Sequence, residues 1–379
     1  MDRGIKRKAS EEALREPEVE PPVIFKSPGL KPDVRLRLFG IREFHVHASI
    51  LKLYSNYFRK FLDSPEKTPA APSASWKYDY VSVVDEDGEW GLEVCDQNAE
   101  ASANDGHSLP LPRTPVSEAV AFEKLLNAMY SKPTAIEDSR ELHDMTRLAD
   151  FYCALPVLST SLYISLWNSP KFLDDIRSLS TAAYHKRPVR DTRVLGATPP
   201  IVTEFPPNHP VSLLKLAAKL RHPILFREMM VYVVSLWESN RSIWEPAIKD
   251  AGLDDVLAKA YNTVHHLQAS VFFGIFRGAV NDEAWRVKVY EVASQLEPLM
   301  ATKKQMEMGF FCYRLRDKLT DFESEVKLEV SQMLSSLMKN TLVLNKGICI
   351  PGYGDYFHQY LCAEVKDEDL PWDLEETDW

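Results

Sequence analysis

Apolar and polar side chains alternate near the start of the chain. Val34, Leu36 and Leu38 are separated by Arg35 and Arg37, the period-two pattern of a strand buried on one face. Gly40 supplies a turn, and Phe44 and Val46 resume the alternation, which predicts a β-hairpin. At His47 the period changes. Ile50, Leu51, Tyr54, Tyr57, Phe58, Phe61 and Leu62 recur at three and four, so one amphipathic helix or two short ones should follow. Ser55 is placed to cap the second and break the first. Residues 76–84 are aromatic and β-branched and read as another strand, and 85–92 as a turn and a short strand.

Helical spacing then takes over. Val120, Phe122, Leu125, Leu126, Met129 and Tyr130 form one stripe, 142–152 a second helix, and Leu155, Leu158, Leu162 and Leu166 a third. Further on, Leu213, Leu214, Leu216, Ala217 and Leu220 make a helix ended by the turn at Pro223. The next, from Ile224 to Trp237, is hydrophobic almost all round and should be central; later stripes cover 256–276, 283–300 and 322–342. No clean repeat period emerges, so the second half is expected to be a packed helical bundle.

Other stretches break this order. Residues 64–75 and 96–117 are rich in Pro, Ala, Ser and Asn and are expected to be mobile insertions, because they cannot bury enough apolar surface to offset their ordering entropy. Residues 186–210 contain six prolines and read as a long loop or boundary. The resulting division is a disordered tail at 1–29, a first domain at 30–170, a linker at 171–210, a helical domain at 211–345 and a C-terminal segment at 346–379.

The order of motifs between 30 and 170 resembles a BTB/POZ domain. The Asp33-Val34 opening, the hairpin, the Phe44-His45-Val46-His47 step and the Ser55-Asn56-Tyr57-Phe58 helix carry the likeness. So do the central helix ending at Tyr130-Ser131 and the Leu142-to-Tyr152 helix. The resemblance implies an α+β fold, a small sheet with a helical cluster, followed here by a mainly α-helical domain. With its insertions, the region is similar to BTB domains common in fungal proteins. Such domains self-associate and capture partners, so the resemblance implies protein partners, a homo-oligomer and a cullin scaffold, with Tyr54, Tyr57, Phe58 and the 142–152 helix on the partner surface. One departure stands out: the apolar-x-glutamate motif that cullin adaptors of this fold carry after their fifth helix has no convincing copy here.

Asp33 and His47 carry two readings. They form a buried polar pair fastening the strand start to the helix start, or, as the resemblance implies, they shape a pocket near the dimer surface; both can hold. An Asp in an apolar setting needs a partner, and either His47 or a helix N-terminus would serve.

The chain has 379 residues, enough for two domains, with 45% hydrophobic and 26% charged residues, ordinary for a globular protein. No apolar run approaches the roughly 20 residues of a membrane helix, and the charged N-terminus is not a secretory signal. Five cysteines without paired spacing suggest reduced thiols and a cytoplasmic or nuclear setting. From Ala363 to Trp379, eight acidic residues against Lys366 alone carry −7 of the net −10, leaving the remainder near neutral. A basic face for nucleic acid is therefore not expected.

The two ends of the chain hold short motifs. Lys6, Arg7 and Lys8 sit in a basic cluster that reads as a nuclear import signal or as a plain solvated tail. Leu370, Trp372 and Trp379 are set among acids, in a D-L-P-W-D segment similar to the ends of fungal BTB proteins. Three readings stand: a partner motif that folds on binding, an anchor that docks back on the helical body, and a solvated tail.

Catalytic, cofactor and metal signals are weak. Residues 351–355 have two glycines but lack the Lys-Ser or Lys-Thr of a phosphate loop. Cys349, His358 and Cys362 match no finger spacing, and the adjacent His265 and His266 point about 100° apart on a helix. Cys153 reads as a small core residue rather than a nucleophile served by His143. The expected function is a non-enzymatic interaction module without cofactors, acting as a ubiquitin-ligase substrate adaptor. The alternative is a nuclear scaffold or transcription co-regulator working through protein partners.

Overall fold

The computed structural model describes residues 21–64, 75–85, 88–95, 114–185, 205–302, 308–319, 325–377 and 379. The fold is α+β, with five strands and twelve α-helices among the described residues. The chain divides into two compact units: 1–132 with 147–154, and 133–146 with 155–379.

The first unit is built on a mixed sheet of order β1-β3-β2-β4-β5. Strands β2 (Val34–Leu38) and β3 (Arg42–Val46) form the predicted hairpin, with Leu36 opposite Phe44 and Val34 opposite Val46. These four side chains and Leu38 have no exposed surface, so the alternation places one apolar row inside. The turn needs positive φ at both Phe39 (52°) and Gly40 (68°). Glycine adopts this freely; Phe39 is held there by its N–H to Ser82 Oγ (2.7 Å) and its ring on Trp90 (5.2 Å). Strand β4 (Tyr78–Val84) adds parallel to β2, and β5 (Trp90–Val94) closes antiparallel on β4.

Helices α1 (Ala48–Tyr54), α2 (Asn56–Asp63) and α3 (Pro115–Met129) complete this unit with the end of α4 (Ser139–Phe151). Phe122 of α3 lies 6.0 Å from the Phe44 ring, putting helix and sheet in one core. Arg147 of α4 pairs with the buried Glu118 of α3, which also accepts from Trp90 Nε1 at 2.9 Å. A buried carboxylate held this way fixes where α4 ends.

The second unit is helical: α5 (Leu155–Ser165), α6 (Pro170–His185), α7 (Pro210–Lys219), α8 (Pro223–Asp250), α9 (Asp254–Asn281), α10 (Glu283–Thr302), α11 (Met308–Lys318) and α12 (Glu325–Leu337). Helix α8 buries fifteen residues, in keeping with its all-round hydrophobicity. Inside it, Glu228 is fully buried and accepts N–H bonds from Val343 (2.6 Å), Leu344 (3.0 Å) and Asn345 (3.1 Å). Burial pushes its pKa up while the three N–H donors pull it back.

Four boundaries differ from the sequence reading. Order begins before residue 30: β1 (Val23–Ile24) pairs parallel with β3, and Phe25 is fully buried against Tyr130 at 4.7 Å. The last part of the expected insertion at 96–117 is helical, since α3 starts at Pro115 with Thr114 as its cap. The expected linker at 171–210 opens as α6, because Phe172 and Ile176, four apart, are both buried. Residues 133–146 and 155–170 group with the second unit rather than with 30–132. There the Ile136 N–H donates to Ser169 Oγ (2.7 Å) and the Ser139 N–H to Asp175 (3.0 Å). Helix α11 had no counterpart in the sequence reading.

Candidate functional site

Ser55 organises the site. Its Oγ accepts the Phe58 N–H at 3.0 Å, capping α2, and donates to the Tyr152 carbonyl at 2.5 Å. The Asn56 N–H donates to the Cys153 carbonyl at 3.3 Å. These bonds fix the junction of α1 and α2 against the end of α4. The apolar stripe is thereby split. Leu51, Phe58 and Leu62 go inside, while Leu53 (64% exposed) and Tyr54 (36%) stay at the surface.

Tyr57 stands between these layers. Its ring stacks on Phe61 at 5.1 Å, meets Tyr152 edge-on at 5.2 Å and lies 5.7 Å from Phe151, itself 47% exposed. Burial pushes the Tyr57 phenol pKa up. A shallow groove of about 380 Å³ opens here, lined by Asn56, Tyr57, Lys60, Phe61, Ser64 and Cys153. Leu53 and Tyr54 at the end of α1 and Phe151 at the end of α4 add exposed apolar surface. An aromatic groove with one cationic side chain can take up an apolar or acidic protein segment.

Two residues expected on this surface are elsewhere. Phe58 is fully buried, stacked on Tyr152 with centroids 5.2 Å apart and planes at 3°. It faces inward because Tyr152 covers that side of α2, so it is a core residue. His47 is also buried, and so belongs to a fastener rather than an open face. Its N–H donates to Tyr130 Oη (2.8 Å), and the Tyr130 hydroxyl lies 2.7 Å from His47 Nδ1. Burial pushes the Tyr130 pKa up to about 12.

Asp33 bonds to a helix end, not to His47. Its Oδ1 accepts from the Ala48 N–H at 2.8 Å, the first of α1, where a carboxylate also suits the helix dipole. Its own N–H and carbonyl join β3 and β4, the N–H to the Val46 carbonyl and the carbonyl to the N–H groups of Lys77 and Tyr78.

The C-terminal residues lie on the second unit. Leu370 is buried, and Trp372 meets the Phe226 ring at 5.1 Å and 85°. The Arg221 guanidinium lies 4.9 Å from the centroid of Trp379. Lys6, Arg7 and Lys8 fall outside the described residues. No group of three or more His, Cys, Asp or Glu side chains is placed to hold a metal ion among the described residues. Among those residues, too, no helix is long and apolar enough to cross a membrane.

Sequence reasoning missed Lys60 as part of the groove and Arg221 and Phe226 as contacts of the tail; Cys153, read as a core residue, is exposed and lines the groove. Phe151 lies in a recognised helix, but the helical period does not say that its last turn flanks α2.

No family model matches the chain, and no curated protein or solved structure matches it either.

Proposed function

We propose that this chain is a non-enzymatic protein-interaction protein whose first unit is a BTB/POZ-type module. It self-associates and recruits partners, and serves as a substrate adaptor for a cullin-type ubiquitin ligase. The observation that carries this reading is the aromatic groove at the start of α2, lined by the half-buried Tyr57 and Phe61, with Phe151 exposed against Tyr57 and Leu53 and Tyr54 exposed at the end of α1. Exposed apolar surface of this kind is where protein contacts form. The order of elements supports the family reading: a hairpin, a helix pair broken at a Ser cap, a strand added parallel to the hairpin, then α3 and α4.

The test is affinity purification of the tagged full-length protein from its own cell type, beside a Leu53→Ser/Tyr54→Ala variant. Both substituted residues are exposed, so the variant should keep its circular dichroism spectrum. Recovery of a cullin and of untagged copies with the wild type, at least tenfold reduced with the variant, is the expected result. A wild type that is monomeric by light scattering and brings down no cullin would overturn it.

A further inference from the structure

The second unit presents a cationic, aromatic seat built from rigid helices. Arg221 lies in the turn after α7, Phe226 and Arg227 lie in the first turns of α8, and Lys259 lies in the second turn of α9. The chain's own end occupies it. Arg227 Nε donates to the Val365 carbonyl at 2.8 Å and its guanidinium pairs with Asp367; Lys259 pairs with Asp369 and Arg221 with Glu376. Leu370, Trp372 on Phe226 and Trp379 on Arg221 are the apolar anchors.

The segment and the seat differ in kind. Beyond Lys366 the tail has one three-residue 3-10 turn, Asp367–Asp369, whose backbone bonds are local. Each of the contacts above from Asp367 onward runs from side chain to side chain. The carboxylates of Asp367 and Glu376 are exposed, at 71% and 47%, while Asp369 is mostly covered at 14%, so salt weakens the first two pairs most. Such a segment is held by charge, Leu370 and two indoles, not by its position in a sheet or helix, and any chain with that pattern meets the same side chains. Seven acidic residues against Lys366 in 366–379 match the three cations of the seat.

We propose that this seat is an exchangeable peptide-binding site. Residues 366–377 and Trp379 fill it in cis, and on their release it takes an acidic, aromatic-anchored segment of another protein. The inference rests on the second unit alone and does not depend on the BTB/POZ reading of the first.

The probe is a fluorescein-labelled peptide of residues 366–379, added to two full-length chains. One is wild type; the other carries Leu370→Ser/Trp372→Ala/Trp379→Ala, which empties the seat without shortening the chain. By fluorescence anisotropy the variant should bind the peptide at least tenfold more tightly than the wild type does. Raising the salt from about 0.05 to 0.5 M should weaken that binding by roughly tenfold. Adding Arg221→Glu/Arg227→Glu should abolish it. A folded variant that does not bind, a wild type that binds equally well, or indifference to the charge reversal would overturn the proposal. A second measurement covers the case of a misfolded variant. Hydrogen exchange on the wild type should show amides 367–377 losing protection at 0.5 M salt while α8 keeps its own; a tail that stays as protected as α8 is a permanent part of the fold, and the proposal fails.

Discussion

At the residue scale, Asp33 shows how one carboxylate can serve as a structural joint. Its side chain holds the first N–H of α1 and its backbone joins β3 and β4, so strand and helix starts are tied through one position. Replacing it with Ala leaves the Ala48 N–H without that acceptor, which should cost about 1–2 kcal/mol. Asp33→Asn keeps an acceptor and should recover most of the loss. Thermal melts of the three proteins decide the matter: an Ala variant that melts with the wild type would show that the bond contributes nothing. His47 and Tyr130, 83 positions apart, form the neighbouring joint, with His47 buried and Tyr130 half-buried.

At the element scale, two helices of the second unit begin on neutral histidines. His222 Nδ1 accepts the Leu225 N–H (3.1 Å) at the head of α8, and His209 Nδ1 accepts the Val211 N–H (3.2 Å) at the head of α7. An accepting Nδ1 must be unprotonated, and a positive ring would also oppose the helix dipole. Burial pulls both pKa values from 6.5 down to about 4. Since the native pKa lies below the unfolded one, the unfolded chain takes up the proton first. Stability is thus full above about pH 6.5 and is lost as pH falls towards 4, by on the order of 3 kcal/mol for the fully buried His222. His222→Asn retains a capping oxygen and cannot titrate. Urea midpoints measured from pH 7.5 to 4.5 should fall less steeply for it than for the wild type, and parallel curves would remove His222 from the account.

At the scale of the whole molecule, the proposed partner surface and the packed core use different side chains. Leu53 and Tyr54 face outward, so Leu53→Ser/Tyr54→Ala should change the unfolding free energy by no more than about 0.5 kcal/mol while lowering partner recovery. Phe58→Ala, by contrast, removes a ring stacked on Tyr152 inside the core and should cost about 3–5 kcal/mol. Denaturant titrations of the two variants separate a surface role from a packing role. A Leu53/Tyr54 variant as unstable as Phe58→Ala would show that this face is structural.

Much of the architecture is local and therefore legible in the sequence. The period-two run at Val34, Leu36 and Leu38, the change of period at His47, the Ser55 cap and the long apolar helix after Pro223 each depend on residues a few positions apart. Neighbours at such spacing meet whatever the rest of the chain does. What lay beyond the pattern depends on distant partners. Tyr57 and Phe58 are adjacent and about 100° apart on α2, and only the arrival of Tyr152 from α4 decides that Phe58 is inside and Tyr57 beside the groove. The choice of Asp33 between His47 and a helix end was likewise settled by how β2 and α1 meet. The tail reads three ways as a sequence because acids and tryptophans suit solvent, a partner or the chain's own body. Arg227, 140 positions before Asp367, supplies the opposite charge that places it on the second unit.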